Sequence, residues 1–361
     1  MKATSSVEAI LDKAVGGNRL SAEEALHLFA EGDLLSIGQA AHEVARFRHP
    51  EALVTYIVDR NINYSNVCTA NCSFCAFYRT RGHEEAYVLA RQEIYEKIEE
   101  LVSLGGCQVL MQGGLHPDLP LDFYEEMLCD LKSRYPEVNL HAFSPPEFIN
   151  LVKLTDLPLR EIIRRLKASG LGSIPGGGAE ILVEEVRRRI SAGKCTAAQW
   201  LEVMETAHEE GLRTTATMMF GHVETMADRV SHLMAVRDLQ DKTGGFTAFI
   251  CWSFQPDHTR LGEKLHYHRA TSHEYLKTQA ISRLVLDNVD NIQASWVTQG
   301  EKIGQVSLLF GANDFGGTML EENVVSSAGT TYSLTESHMR DLIAELGCTP
   351  KRRNFFYELL E

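Results

Sequence analysis

The sequence predicts an α/β fold, a TIM-type (β/α)8 barrel behind a helical N-terminal extension. Three observations predict it. Eight short runs rich in β-branched and aromatic residues recur along the chain, helical patterns separate most of them, and glycines stand where several helices should stop. With 361 residues and 44% hydrophobic content, the chain can bury one large core.

Residues 1–50 form the expected extension. Ser21-Ala22-Glu23-Glu24 is a capping-box pattern, with Ser21 at the N-cap and Glu24 at N3, and Ala25, Leu26, Leu28 and Phe29 supply an apolar stripe behind it. Asp33 opens another helix through Ile37, Ala40, Ala41, Val44 and Ala45, which His49-Pro50 ends. Residues 51–347 read as the barrel and 348–361 as a C-terminal tail. Strands are expected at Tyr56–Asn63, Gln108–Gln112, Asn139–Phe143, Gly172–Ile174, Thr214–Phe220, Phe246–Ser253, Ile292–Val297 and Val306–Phe310. Helices are expected at Glu93–Ser103, Phe123–Arg134, Arg160–Ser169, Ala197–Glu210, Ala227–Asp241 and Glu274–Asn288. Gly105, Gly170 and Gly211 follow three of them, as C′ glycines do. The seventh crossover is tight, since Gly300–Gln305 leaves room for one helical turn. A six-strand partial barrel with a separate C-terminal piece is the competing layout.

Composition narrows the function. A formal charge of −14 argues against a nucleic-acid substrate, because phosphate binding needs a basic surface. Basic clusters at Arg187–Arg189 and Lys351–Arg353 read as a solvated helix face and a short terminal patch. No apolar run approaches membrane-spanning length and Met1–Val15 lacks a signal-peptide core, so a reducing cytoplasm is the expected home. Five of the eight cysteines are scattered singly, and Cys107 and Cys251 fall in apolar runs as small core residues.

The other three carry the chemistry. Cys68, Cys72 and Cys75 form a C-x3-C-x2-C triplet, with Phe74 before the last. Three thiols packed this tightly can hold three corners of a cubic [4Fe–4S] cluster and leave the fourth iron open. A disulfide pair would leave one thiol over. Zinc needs a fourth ligand, and the nearest candidate, His83, lies eight residues on.

Barrel chemistry gathers at the C-terminal ends of strands. The triplet follows the first strand, Met111–Pro117 the second, Phe143–Glu147 the third and Ile174–Glu180 the fourth. Met219–Thr225 follows the fifth, Trp296–Gly300 the seventh and Gly311–Gly317 the eighth. Most of these turns are polar or glycine-rich, as a ligand site requires. Gly113-Gly114 lets backbone approach a ligand closely. Pro175–Ile181 holds three consecutive glycines and the carboxylate of Glu180, with no Walker-type lysine after them to favour a phosphate. Acid–base candidates are His116, His222, Asp314 and Glu322. Tyr78 and Arg79, beside the triplet, either border the substrate or shield the cluster.

The triplet resembles the signature of the radical S-adenosylmethionine enzymes. Asn61–Arg79, Met111–Asp118, Ser173–Leu182, Ser295–Gly300 and Phe310–Gly329 further resemble the cyclic dehypoxanthine futalosine synthases of menaquinone biosynthesis. Aminofutalosine synthases and the deazaflavin chromophore (FO) synthases share the triplet and the Pro-Gly-Gly-Gly-Ala-Glu run. The resemblance implies a [4Fe–4S] cluster on Cys68, Cys72 and Cys75 whose open iron chelates S-adenosylmethionine. It implies cofactor contacts from Phe74, Gln112, Gly113, Gly114, Ser144, Glu180, Gly221 and Glu224, and substrate contacts from Tyr78, Arg79 and Asn313. Arg79 and Arg81 are candidates for a benzoate. The implied reaction takes the C4′ hydrogen from the ribose of dehypoxanthine futalosine with a 5′-deoxyadenosyl radical and joins that carbon to the benzoate ring. His116, Asp314 or Glu322 would take the final proton, and a flavodoxin or ferredoxin would donate electrons. Neither nucleic acid nor membrane is an implied partner. A non-catalytic iron–sulfur carrier is the rival from another class, and it would not need glycine turns at so many strand ends.

Overall fold

Three helices, Val7–Val15, Ala22–Glu31 and Leu34–Arg48, open the chain. The capping box forms as the pattern requires: Glu24 N donates to Ser21 Oγ at 3.1 Å and Ser21 N to the Glu24 carboxylate at 2.7 Å. Asp33 caps the third helix through Ser36 N at 2.9 Å. The extension packs on helices Met226–Thr243 and Ser272–Val285, outside the sheet. The structure is a computed structural model that describes residues 6–265, 269–330 and 332–360.

Ten strands follow, all in parallel pairs: β1 Leu53–Ile57, β2 Asp59–Ile62, β3 Gln108–Met111, β4 Asn139–Ala142, β5 Ser173–Ile174, β6 Arg213–Phe220, β7 Phe246–Ser253, β8 Asn291–Gln293, β9 Asp314–Gly317 and β10 Thr349–Arg352. Their order is β10-β1-β9-β8-β7-β6-β5-β4-β3-β2. The first expected strand is interrupted at Val58 into β1 and β2, and this break closes the ring. On one edge Thr318 N and Leu320 N reach Ile57 O and Asp59 O, continuing from β9. On the other, Arg353 N reaches Tyr56 O and Cys107 N reaches Val58 O, so β10 and β3 share that edge end to end. β1 and β2, consecutive in the chain, thus join β9 to β3 and complete an eight-strand barrel, which agrees with the expected fold class. The glycines after helices Arg91–Ser103, Leu159–Ala168 and Ala197–Glu209 have φ of +73°, +117° and +78°, as C′ residues.

Two expectations are corrected. Val306–Phe310 is not the eighth strand: Glu301–Ser307 is helical and supplies the seventh crossover, entered through Gly300 at φ +80°. The crossover is longer than Gly300–Gln305 because the seventh strand ends at Gln293 and Trp296–Gln299 is already a helical turn. The eighth strand is the glycine-rich Asp314–Gly317, which intrinsic strand propensity disfavours. A Cβ at 317 would sit 2.1 Å from Asp59 Oδ1, so glycine there lets the strand and that carboxylate share the space. The C-terminal tail is also built into the fold. β10 pairs with β1 from Leu53↔Thr349 to Tyr56↔Arg352, and Arg353, Phe355 and Tyr357 line the barrel interior at its N-terminal end.

Candidate active site

The cysteine loop runs from β2 and is stapled in place. Cys68 N donates to Arg79 O at 3.0 Å, Thr69 N to Leu115 O at 3.1 Å and Ser73 N to Ile190 O at 2.9 Å. Arg79 Nη1 donates to the carbonyls of Ala76, Phe77 and Tyr78 at 3.0–3.2 Å, and Nε ion-pairs with Glu85 at 2.6 Å. Tyr78 OH donates to Asn71 Oδ1. Cys68 Sγ accepts from Leu115 N at 3.3 Å and Ala70 N at 3.4 Å, bonds that grow stronger on a thiolate. Cys72 is buried with Ala70 and Leu115, and Phe74 packs on the same cluster. Burial pushes the Cys72 thiol up to about 12 and raises Cys75, so these thiols become thiolates only against compensating positive charge. An iron–sulfur cluster held by these cysteines would supply that charge. Among the described residues no three His, Cys, Asp or Glu side chains converge to hold a single metal ion. Three cysteines at this spacing on one loop suit three corners of a cubane.

Facing the cysteines is a floor of strand-end turns. Gly114 carries no side chain for a specific reason: a Cβ there would lie 2.1 Å from Val67 O and 2.8 Å from Cys68 Cβ. At Gly113 it would meet the Tyr64 ring at 2.3 Å. The pair seats the β3 turn directly on the cluster loop. Ser144 caps helix Pro145–Thr155; its N and Oγ both donate to Glu147 at 2.7 Å. Gly113 N donates to the other Glu147 oxygen at 3.1 Å, and burial pushes this carboxyl up to about 7. Ser144 therefore positions its turn through a cap. Gly221 and Glu224 behave alike, since the Glu224 carboxylate accepts from Gly221 N at 2.6 Å and His222 N at 2.9 Å and pairs with Arg229 at 2.7 Å.

The glycine run after β5 needs two cations that sequence reasoning missed. Arg187 was expected on a solvated face, yet it is 1% exposed, and its guanidinium donates to the carbonyls of Gly178, Ala179 and Cys195 at 2.5–3.2 Å. Helical spacing on Glu184–Ile190 put it inward with Val186 and Ile190; three consecutive arginines hid that signal. Lys194 ion-pairs with Glu180 at 2.6 Å and lies 5.1 Å from the Phe74 ring centroid. Despite burial, Glu180 holds Lys194 protonated, and Lys194 holds Glu180 below the ordinary carboxylate range. A lysine on a connecting turn carried no pattern that could have marked it.

Inside the barrel lies a cavity of about 280 Å³. Gln112, Glu180 and Glu322 line it; Gly176, Gly177 and Gly178 form part of its rim. Trp252, Trp296 and Leu110 give it flat apolar walls, and Thr215, Thr217, Ser295 and Thr298 give it hydroxyls. The remaining expected residues lie elsewhere. Tyr78 and Arg79 line a separate outer cleft beside Cys75, and Arg81 pairs with Asp118 at 3.1 Å. His116 accepts from Asp118 N at 3.1 Å and orders its own loop. Asn313 and Asp314 were expected beyond the eighth strand, and instead they begin it, at the end opposite the cysteines. Asn313 Oδ1 accepts from Arg283 at 2.6 Å and Ile292 N at 2.9 Å. Asp314 is clasped by Arg353, Thr55 Oγ1 and Gly316 N.

A parallel barrel with a cysteine triplet after its first strand and glycine turns around one mouth defines a radical S-adenosylmethionine enzyme. Residues 62–236 match the Radical SAM superfamily and residues 243–361 the CofH/MqnC C-terminal region. The chain is 45% identical to a cyclic dehypoxanthine futalosine synthase of Halalkalibacterium halodurans, over 98% of this chain and 95% of that one. It is 43% identical to a 5-amino-6-(D-ribitylamino)uracil–L-tyrosine 4-hydroxyphenyl transferase of Methanosarcina mazei, over 84% and 81%. The crystal structure of methylornithine synthase (PylB) superposes with a TM-score of 0.73 at 18% identity, over 95% and 97% of the two chains, a likeness of fold. The chain belongs to the radical S-adenosylmethionine family that contains the cyclic dehypoxanthine futalosine synthases.

Proposed function

We propose that this protein cyclises dehypoxanthine futalosine in the futalosine route to menaquinone, consuming S-adenosylmethionine. The observation that carries the reading is a match to a synthase of that name over 98% of the chain, joined to a cavity inside the barrel lined by Gln112 and Glu180. Cys68, Cys72 and Cys75 would hold the [4Fe–4S] cluster, and Gly113, Gly114, Glu180, Gly221 and Lys194 surround the place for S-adenosylmethionine. When bound, these groups supply the radical that removes a ribose hydrogen.

The chain's own residues do the rest. Lys194 and Glu180 hold opposite charges between the cluster loop and the cavity, where a zwitterionic amino-acid end would find both partners. The tryptophan walls present faces for the benzoate ring, and the threonine and serine hydroxyls match a ribose. Glu322 stands at the cavity rim, its carboxylate accepting from Val324 N, Val325 N and Ser326 N at 2.8–3.0 Å, and it orders the loop over the mouth. A flavodoxin or ferredoxin in a reducing cytoplasm would serve as electron donor; no helix among the described residues is long and apolar enough to cross a membrane.

The test is anaerobic incubation of reconstituted protein with dehypoxanthine futalosine, S-adenosylmethionine and dithionite, read by mass. A cyclised product of unchanged elemental composition less two hydrogens, with 5′-deoxyadenosine and methionine, is expected. Turnover only with tyrosine and the ribitylaminouracil that name the Methanosarcina mazei relative would move the chain to that activity.

A further inference from the structure

The interior of an eight-stranded barrel is ordinarily filled with branched apolar side chains. Here the first barrel strand departs from that rule. Asp59 and Asn61, two apart on β2 and so on one face, both line the cavity, and they are 5% and 4% exposed. Asn61 Oδ1 has no hydrogen-bond partner in the protein. Such an orphan costs free energy unless something else donates to it. Asp59 accepts from Met319 N at 3.1 Å and from the Gln108 side chain, which leaves part of a carboxylate's acceptor capacity free. Gly317 gives up a side chain to make room for this group.

The other carboxylates near the cavity are already committed, and the unpartnered Tyr357 hydroxyl that lines it is held protonated by burial. Glu180 is held by Lys194, Asp314 by Arg353, and Glu322 by three backbone N–H groups. His141 shares its Nδ1 with Ser173 Oγ at 2.8 Å and lies tilted against the Phe355 ring, with centroids 4.6 Å apart. We propose that Asp59 is the catalytic base that takes the last proton from the cyclised substrate, with Asn61 accepting a hydrogen bond from a substrate hydroxyl beside it. The assignment rests on the reaction proposed above. In that reaction the ribose C4′–H bond breaks, its hydrogen passes to the 5′-deoxyadenosyl carbon, and a bond forms between C4′ and the aromatic ring. The closed ring then holds one electron and one proton in excess. The proton passes to the Asp59 carboxylate, the C–H electron pair restores the ring's bonding, and the surplus electron leaves to a one-electron acceptor of the iron–sulfur class.

The charged groups facing Asp59 are Arg353, which favours its ionised form, and Asp314, which opposes it; Cys107 on the segment entering β3 is its other titratable neighbour. Gln108 hydrogen-bonds it, and burial, the largest influence, raises it to about 6, a useful basicity near neutral pH.

The experiment is Asp59→Asn in full-length, anaerobically reconstituted protein, with substrate affinity measured separately by equilibrium dialysis. Expected are affinity within about threefold of wild type, continued 5′-deoxyadenosine formation, and a ratio of cyclised product to deoxyadenosine lower by about 100-fold, the lower range for a positioned base. An unchanged ratio overturns the proposal. So does parallel loss of affinity and both products, which would make Asp59 a binding group. Should the variant fail to fold, the wild-type ratio decides: it should fall as pH drops through about 6, and a ratio flat from about pH 5 to 8 refutes the role. Wild-type protein that makes no cyclised product defeats the reaction assignment itself, a different result from an active wild type with a fully coupled variant.

Discussion

At position 114 the absence of a single carbon decides whether the cluster loop can close. Any side chain there overlaps Val67 O and Cys68 Cβ, so Gly114→Ala should displace Cys68 before it touches S-adenosylmethionine. Anaerobic reconstitution should then give fewer than two irons per chain, against about four for wild type. Full iron loading would show that the loop can yield. Asp59 gives a second residue-level outcome, with a sign fixed by its raised pKa. The folded state keeps this proton up to about pH 6, whereas the unfolded chain releases it near 4. Stability therefore falls as pH climbs between those values and stays lower above them. Asp59→Asn removes that penalty. It should raise stability at pH 8 by roughly 1–3 kcal/mol relative to wild type and bring little gain at pH 4, checked by urea midpoints at both values.

At the scale of elements, the short helix Glu184–Ile190 exists to aim Arg187 into the glycine run. Its guanidinium occupies carbonyls of Gly178, Ala179 and Cys195, which would otherwise be buried without donors. Arg187→Met should cost about 3 kcal/mol or more, since each orphaned acceptor carries a penalty of ~1–3 kcal/mol. Arg187→Lys should recover part of that, because an ammonium cannot fork across two carbonyls. Denaturation curves for both variants check the order. The Lys194–Glu180 pair joins the same run to the cysteine loop. Lys194→Met leaves Glu180 buried and unpaired, and should weaken S-adenosylmethionine binding by about tenfold or more while destabilising the fold by roughly 3–5 kcal/mol. Affinity at wild-type level would remove this lysine from the cofactor site.

At the scale of the whole molecule, the C-terminal segment through β10 to Tyr357 belongs to the barrel. β10 pairs with β1, and the buried Arg353 holds Asp314 at the start of β9, so removing 348–361 would strip an edge and strand a carboxylate. A chain ending at Gly347 should lose cooperative unfolding by circular dichroism, where a dispensable tail would leave the transition intact.

What could be read from the chain alone was whatever local chemistry dictates. The cysteine spacing marked the metal chemistry because three ligands of one cluster must be close in sequence to share a loop. The capping box at Ser21, the Asp33 cap and the C′ glycines marked helix ends because those bonds span only a few residues. Alternation of strands and helices was enough for the barrel. What only the tertiary structure decided is where side chains meet across elements. Asn313 and Asp314 change from mouth to base of the barrel because the eighth strand is a glycine-rich segment selected by what packs on it, against its own propensity. Arg187, Lys194, Asp59 and Asn61 acquire their partners, or their lack of one, from strands and turns distant in sequence. Burial and hydrogen-bond satisfaction are properties of the closed ring, and no window of sequence contains them.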